Sequence, residues 1–343
     1  MTRSAATLTR IAESAEVSPS TVSKVLNGRS GVSAETRARV EQALRTHGYR
    51  QPADRRRQPF IELVFERVET AFAIEIIRGV QRAAVSRGLS VVLSETGDRH
   101  TPGPEWLAQV LQRRPAGVVL VFSDLPADAK QRLALRGIPF VIVDPAGDPA
   151  PDVPSVGSAN WSGGVLAARH LLELGHRSIA VIGGPQDMMC SRARLSGFRA
   201  ALDEAGVPFR SDALRWGNFL REDGLNFGRE LLQLPDRPTA IFAGNDLTAL
   251  GVLEAARMLG LSVPRDVSIV GYDDLEIASW SGPPLTTIRQ PLAEMGEQAA
   301  LLALDAQGGA VRAARVDLAT TLVVRESTAP PLVRAGEATV PRA

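Results

Sequence analysis

Apolar residues follow two different rhythms along this chain. Up to about residue 50 they recur only at helical spacing, in short bursts. Leu8, Ile11, Ala12 and Ala15 share one face of a helix over 8–15, which Thr7 can cap. Val22, Val25 and Leu26 share one face of a second helix, opened by Ser18 as N-cap and Pro19 at the first helical position and ended by Asn27-Gly28. Val40, Ala43 and Leu44 line a third, capped by Ser33, running to about Thr46 and stopped at Gly48. From Phe60 onward apolar strand candidates alternate with amphipathic helices. The strands are 61–65, 90–93, 117–122 and 140–143, with helices at 74–87, 104–113 and 127–136 between them. A second series has strands at 179–182, 240–243 and 268–272 and helices at 163–174, 194–205, 223–234 and 247–259. Such alternation predicts two doubly wound parallel sheets in a two-lobed α/β body, with ligands held in the cleft outside the carboxyl ends of strands.

The polar face of the second helix carries Ser20, Thr21, Ser23 and Lys24, short hydroxyls and one cation with no carboxylate. That combination suits the major groove, where small side chains approach closely and a Lys can meet a guanine or a phosphate. A solvated amphipathic helix is the plainer alternative. The first two helices, joined by a short turn, make a helix-turn-helix. The run Thr7-Leu8, Ile11-Ala12, Ala15, Val17-Ser18, Thr21-Val22-Ser23-Lys24-Val25-Leu26-Asn27, then Val32-Ser33, Glu35-Thr36-Arg37, Arg39-Val40 and Gly48-Tyr49 resembles the headpiece of the lactose-repressor (LacI) family of bacterial transcription regulators. The body resembles the same family to about Pro331, through Leu172-Glu173-Leu174-Gly175-His176-Arg177, Phe242-Ala243-Gly244-Asn245-Asp246, Val270-Gly271-Tyr272-Asp273-Asp274, 283–291 and 322–331.

The resemblance implies a headpiece at 1–50, a hinge at 51–59 and a periplasmic-binding-protein-like effector and dimerisation domain at 60–331. In that domain lobe one takes 60–158 and 291–328 and lobe two takes 159–290. Residues 332–343 show no heptad pattern, unlike the tetramerising tail of some relatives, and are expected to be a disordered tail on a homodimer. In the family the hinge becomes a helix that wedges a leucine into the minor groove. Here there is no leucine in that stretch, and Arg55-Arg56-Arg57 stands in its place. Arginines in a narrow minor groove, or on phosphates, are the physical alternatives, beside a merely solvated linker.

Charge sharpens the division. Residues 1–59 hold eleven Lys or Arg against five Asp or Glu, a net of +6, leaving −5 on 60–343. A basic head on an acidic body fits a double-stranded DNA partner for the head alone. The DNA-contacting candidates are therefore Thr7, Pro19, Ser20, Thr21, Ser23, Lys24 and Asn27, with Arg55, Arg56 and Arg57, and a dimer would read a pseudo-palindromic operator.

A single cysteine, Cys190, and four histidines without paired spacing give no disulfide framework and no metal site, and no cofactor is expected. No apolar run is long enough for a bilayer, and no secretory signal is visible, so a place in the bacterial cytoplasm, on the nucleoid, is expected. Against a sugar-like effector, apolar ring faces and fork-like hydrogen-bonders are needed. Phe72, Trp161 and Phe219 are the aromatic candidates, each of which could equally be core. Arg194 matches the family arginine that forks onto ligand oxygens, while Asn245 and Asp273 follow strands and could accept from hydroxyls, their plainer reading being turns or caps. Asp246 reads as a helix cap, and Asp144 and Arg192 are secondary candidates. By this reading Asp273, Asn245 and Arg194 come from one lobe and Phe72 from the other.

A ligand-responsive repressor of carbohydrate-catabolism genes is the leading function, and the chain also resembles a branch governing plant-polysaccharide sugars such as xylose or its oligomers. A periplasmic-type sugar-binding protein is opposed by residues 1–50, and purine-responsive relatives share the fold. No nucleophile–base pair or phosphate loop supports an enzyme.

Overall fold

The helical bursts at the start of the chain fold as their spacing dictates. A computed structural model describes residues 8–26, 31–47, 49, 58–68, 70–97, 101–121, 124–145, 147, 153–306 and 315–332. Thr7, Asn27, Gly48, Arg55, Arg56 and Arg57 lie outside the described residues. Helices α1 (Leu8–Ser14), α2 (Pro19–Leu26) and α3 (Ala34–Thr46) bring Ile11, Val22, Val25, Leu26, Val40 and Leu44 into one small core. Two of the three expected caps are made: Ser18 Oγ accepts from the Thr21 amide and Ser33 Oγ from the Thr36 amide, each at 3.2 Å.

After the headpiece the chain runs β1 (Gln58–Phe65), α4 (Ala71–Ser86), β2 (Ser90–Glu95), α5 (Pro104–Arg113), β3 (Pro115–Val121), α6 (Ala127–Leu135), β4 (Phe140–Val143) and β5 (Ser155–Ser158). It continues through α7 (Asn160–Glu173), β6 (Ile179–Gly183), α8 (Met189–Glu204), β7 (Leu214–Trp216), α9 (Arg221–Leu232), β8 (Ala240–Ala243), α10 (Asp246–Met258) and β9 (Ser268–Asp273). Helix α11 (Glu276–Trp280), β10 (Thr286–Arg289), α12 (Leu292–Leu304), β11 (Arg315–Leu318) and β12 (Thr321–Val323) follow. Among the described residues these strands form two six-stranded sheets, in the orders β11-β5-β4-β3-β1-β2 and β12-β10-β9-β8-β6-β7. The pairs joining β2, β1, β3, β4 and β5, and those joining β7, β6, β8, β9 and β10, are parallel.

The chain forms two units, 1–157 with 293–316, and 158–292 with 317–343. This corrects the expected extent of lobe one. Residues 317–328 belong to the second unit, because β12 pairs antiparallel with β10 and Ser327 Oγ donates to Ile269 O at 2.6 Å while accepting from the Thr286 amide at 2.8 Å. The segment is held further by two buried histidines. His176 bonds Ala329 O and Thr239 Oγ1, each at 2.9 Å, and His170 bonds Thr328 Oγ1 at 2.9 Å.

In the first unit, periodicity marks 61–65 as an apolar strand, yet Glu62 is fully buried in β1. Its carboxylate accepts from Arg113 Nη2 at 2.5 Å, Ser94 Oγ at 2.8 Å and Trp106 Nε1 at 3.1 Å, which is how an interior charge survives.

Candidate DNA-reading helix and effector site

Helix α2 buries Val22, Val25 and Leu26 and turns its other face outward. Pro19, Ser20 and Lys24 are exposed, and Thr21 and Ser23 are half-buried. The hydroxyls of Ser18, Ser20 and Thr21 form a local cluster, Ser18 Oγ lying 2.8 Å from Ser20 Oγ and 2.9 Å from Thr21 Oγ1. The face is thus small, polar and cationic at one end.

In the second unit, polar residues gather at the carboxyl ends of β8 and β9 and just after β10. Strand order reverses between β6 and β8, so this is a switch point of the kind where open parallel sheets hold ligands. Arg194, in the interior of α8 and only 4% exposed, is the centre. Its Nη1 donates to Gly244 O at 2.6 Å and its Nε to Asn160 Oδ1 at 2.8 Å, with Asp273 Oδ1 3.8 Å from Nη1. Asp273 in turn accepts from Gln290 Nε2 at 2.6 Å. Ser158 Oγ donates to Gln290 Oε1, and Asn160 Nδ2 donates to Ser158 O at 3.2 Å, so hydrogen bonds run from Arg194 round to Asp273 and the Arg194–Asp273 ion pair closes the ring. The guanidinium carbon lies 3.7 Å from the Tyr272 ring centre and 5.5 Å from that of Phe219, an arrangement favourable for a cation.

Packing fixes that ring. A Cβ on Gly197 would lie 1.9 Å from Trp161 O, and one on Gly164 2.0 Å from Arg194 O, so only glycine lets α7 and α8 approach this closely. At the end of β9, Asp273 and Asp274 both take positive φ, 108° and 58°. Non-glycine residues adopt that region at a cost, and here the turn is fastened by Gln290 on Asp273 and by Arg289 and Arg325 on Asp274, each at 2.6 Å.

Several expectations change in the structure. Asn245, rather than Asp246, is the N-cap of α10, accepting from the Thr248 amide at 2.9 Å, while its Nδ2 donates to Phe219 O at 3.0 Å. Its amide therefore positions the loop carrying Phe219. Asp246 is instead wholly buried, accepting from Thr287 Oγ1 at 2.6 Å and the Leu275 amide at 2.8 Å. Burial, and then Asp273 nearby, holds its carboxyl well above the usual range. Trp161 lies in the first turn of α7, because that helix starts at Asn160, ahead of the expected 163. Trp161 is half exposed, and Phe72 lies in the first turn of α4, in the other unit from Arg194, Asn245 and Asp273. Arg192 bonds the backbone of Gln186 and Asp187, and Asp144 is buried after β4. Asn160, Gln290 and Ser158 were not picked out as ligand candidates from the sequence, since single amides and hydroxyls at element ends look like ordinary caps. Among the described residues no group of three His, Cys, Asp or Glu is placed to hold a metal, and no helix is long and apolar enough to cross a membrane.

Residues 7–51 match the family profile "Bacterial regulatory proteins, lacI family" and 168–328 match "Periplasmic binding protein-like domain". The HTH-type transcriptional repressor CytR of Escherichia coli K12 is 34% identical over 330 residues, covering 94% of this chain and 96% of its own. The chain belongs to the LacI family. Among solved structures, a transcriptional regulator CelR–cellobiose complex aligns at TM-score 0.71 with 35% identity, over 94% of this chain and 99% of the other. The lac repressor dimer bound to operator and the anti-inducer ONPF aligns at 0.68 with 30% identity, over 95% and 100%. This LacI-family protein is therefore a helix-turn-helix transcriptional repressor and not an enzyme. LacI-family repressors bind operator DNA and small effectors, and the lac repressor relative does so as a dimer.

Proposed function

We propose that this repressor reads a pseudo-palindromic operator through α2 and is controlled by a sugar, of the plant-polysaccharide oligosaccharide type, bound at the Arg194 ring. On the DNA side Ser20, Thr21 and Lys24 contact base edges, and Pro19 packs against a thymine methyl or the groove floor. Thr7, Ser23 and Asn27 are further DNA contacts, and Arg55, Arg56 and Arg57 meet phosphates or a narrow minor groove. The headpiece spans 1–50, the basic connector 51–59 and the effector domain 60–331, and the protein works in the cytoplasm on the nucleoid.

The observation that carries the effector assignment is the ring of Ser158, Asn160, Arg194, Asp273 and Gln290 around the carboxyl ends of β8, β9 and β10. A fork-like cation, a carboxylate and two amides offer donors and acceptors at several angles, as vicinal hydroxyls require, and Phe219 supplies a flat face for ring C–H groups. The cellobiose-bound relative supports the same class of ligand. Trp161, in the same unit as the ring, is assigned to the approach of the ligand.

The test is a thermal-shift screen of the full chain against mono- and oligosaccharides, nucleosides and purines, followed by operator binding with each hit. A stabilising sugar that changes operator affinity supports the proposal. A response confined to nucleosides or purines overturns it.

A further inference from the structure

The headpiece is held to the first unit by a contact that does not run through the connector. Arg136, immediately after α6, is 6% exposed. Its Nη2 donates to Val25 O at 3.1 Å and its Nη1 to Leu111 O at 3.2 Å. Both carbonyls lie in last turns, Val25 in α2 and Leu111 in α5. Helix C-termini leave carbonyls without intrahelical partners and carry partial negative charge, so one guanidinium here satisfies two such ends at once. Beside it Leu135 packs on the headpiece core, and Arg45 Nη1 donates to Gln131 Oε1 at 3.0 Å. The space left among Leu26, Leu44, Leu111 and Leu135 is only about 20 Å³, close to a single water.

We infer that Arg136 is a positioning residue for operator recognition, seating the C-terminal end of the reading helix on the first unit so that headpiece and unit meet DNA as one body.

The electrostatics of the seat agree. Burial, followed by repulsion from Arg114, Arg132 and Arg37 and opposed by Glu41, pushes the guanidinium down to about 9, which leaves it cationic at neutral pH. A buried cation surrounded by like charges is retained only where acceptors hold it, and the two carbonyls do so. The seat also leaves the reading surface open. Pro19, Ser20 and Lys24 remain exposed while Val25 and Leu26 are covered. A headpiece seated in this way has less freedom to lose on binding, and in a dimer it sets the spacing of the two half-sites.

The inference rests on operator recognition by α2, and wild-type binding checks that separately. The full chain is footprinted on its own upstream DNA, and affinity is measured for the protected duplex with its original centre and with one base pair inserted. The expected penalty for insertion is at least tenfold in wild type. In Arg136→Gln it should fall below threefold, with the best affinity at least tenfold weaker and random-sequence binding unchanged. Arg136→Lys, which keeps charge but cannot fork onto two carbonyls, should lie between. An insertion penalty equal in wild type and Arg136→Gln overturns the inference. Should Arg136→Gln not fold, the Arg45→Cys and Gln131→Cys pair tests the same seat. Its oxidised form should bind the original duplex as tightly as wild type and keep the tenfold penalty. Loss of binding on oxidation overturns the inference, because the seated arrangement would then be unable to take DNA.

Discussion

Arg194 shows how one side chain can organise a site. It is buried with both aromatic and hydrogen-bonding partners, and its nearest carboxylate, Asp273, sits on strained backbone held by Gln290. Removing one member of a buried charged pair leaves the other uncompensated, which costs about 3–5 kcal/mol. Arg194→Ala is therefore expected to lower unfolding stability by that order in denaturant titration. Hydrogen bonds to charged groups contribute about 1.5–3 kcal/mol each, so the variant should also bind its effector roughly ten- to hundredfold more weakly, measured by calorimetry with the sugar from the screen. On the DNA side, Lys24 is exposed at the far end of the polar face of α2. Lys24→Ala is expected to cost about 1–3 kcal/mol on operator and relax one base position, with little change on random DNA. Equal weakening on both duplexes would make Lys24 a phosphate contact.

Between elements, the decisive event is the close approach of α7 and α8. Gly197 lies one turn beyond Arg194, and a side chain there would collide with the backbone of Trp161. Overpacking of this kind costs about 1–3 kcal/mol and shifts backbone. Gly197→Val is expected to abolish the effector-dependent thermal shift while the variant still retards operator DNA in a gel, because the headpiece core does not involve α8. Loss of DNA binding together with effector response would show that the substitution unfolds the whole chain. The glycines on these helices were visible in the sequence, but helical spacing alone does not say which neighbour a glycine must admit.

For the whole molecule, pH dependence follows from the histidines that fasten Thr328 and Ala329. Burial is the main cause of lowering for both His170 and His176. For His176, the Ala329 carbonyl pulls the other way and His170 and Arg177 add to the lowering. Their folded-state values lie below the ordinary 6.5, so the unfolded chain takes up protons first as pH falls. Their contribution is present in full above 6.5 and is lost progressively below it, towards the lowered values. The denaturant midpoint of wild type is expected to drop on crossing from above to below 6.5, and His176→Asn should flatten that drop while lowering the midpoint at the higher pH. An unchanged pH profile in His176→Asn would show that His176 does not couple stability to pH.

What the sequence determined by itself was whatever depends on near neighbours along the chain. Ser18 and Ser33 cap the helices they precede, and the apolar faces of α1, α2 and α3 meet because i, i+3 and i+4 positions share a side. The strands β4 and β8 and the helix α5 fall where their patterns put them, since a buried parallel strand must be a continuous apolar run. Tertiary structure decided the rest, where partners are far apart in sequence. β12 is too short to read alone and exists because β10 offers it an edge, which is why residues from 317 onward join the second unit. Asn245 and Asp246 are adjacent, and one caps a helix while the other is buried against Thr287 and Leu275. That choice is made by packing, not by residue type. Glu62 fits inside a strand only because Arg113 and Trp106 of α5 and Ser94 of β2 reach its carboxylate. The ring around Arg194 is of the same kind: its members are separated by up to 132 positions, and only the folding of parallel strands to one common end brings their polar groups within hydrogen-bonding distance.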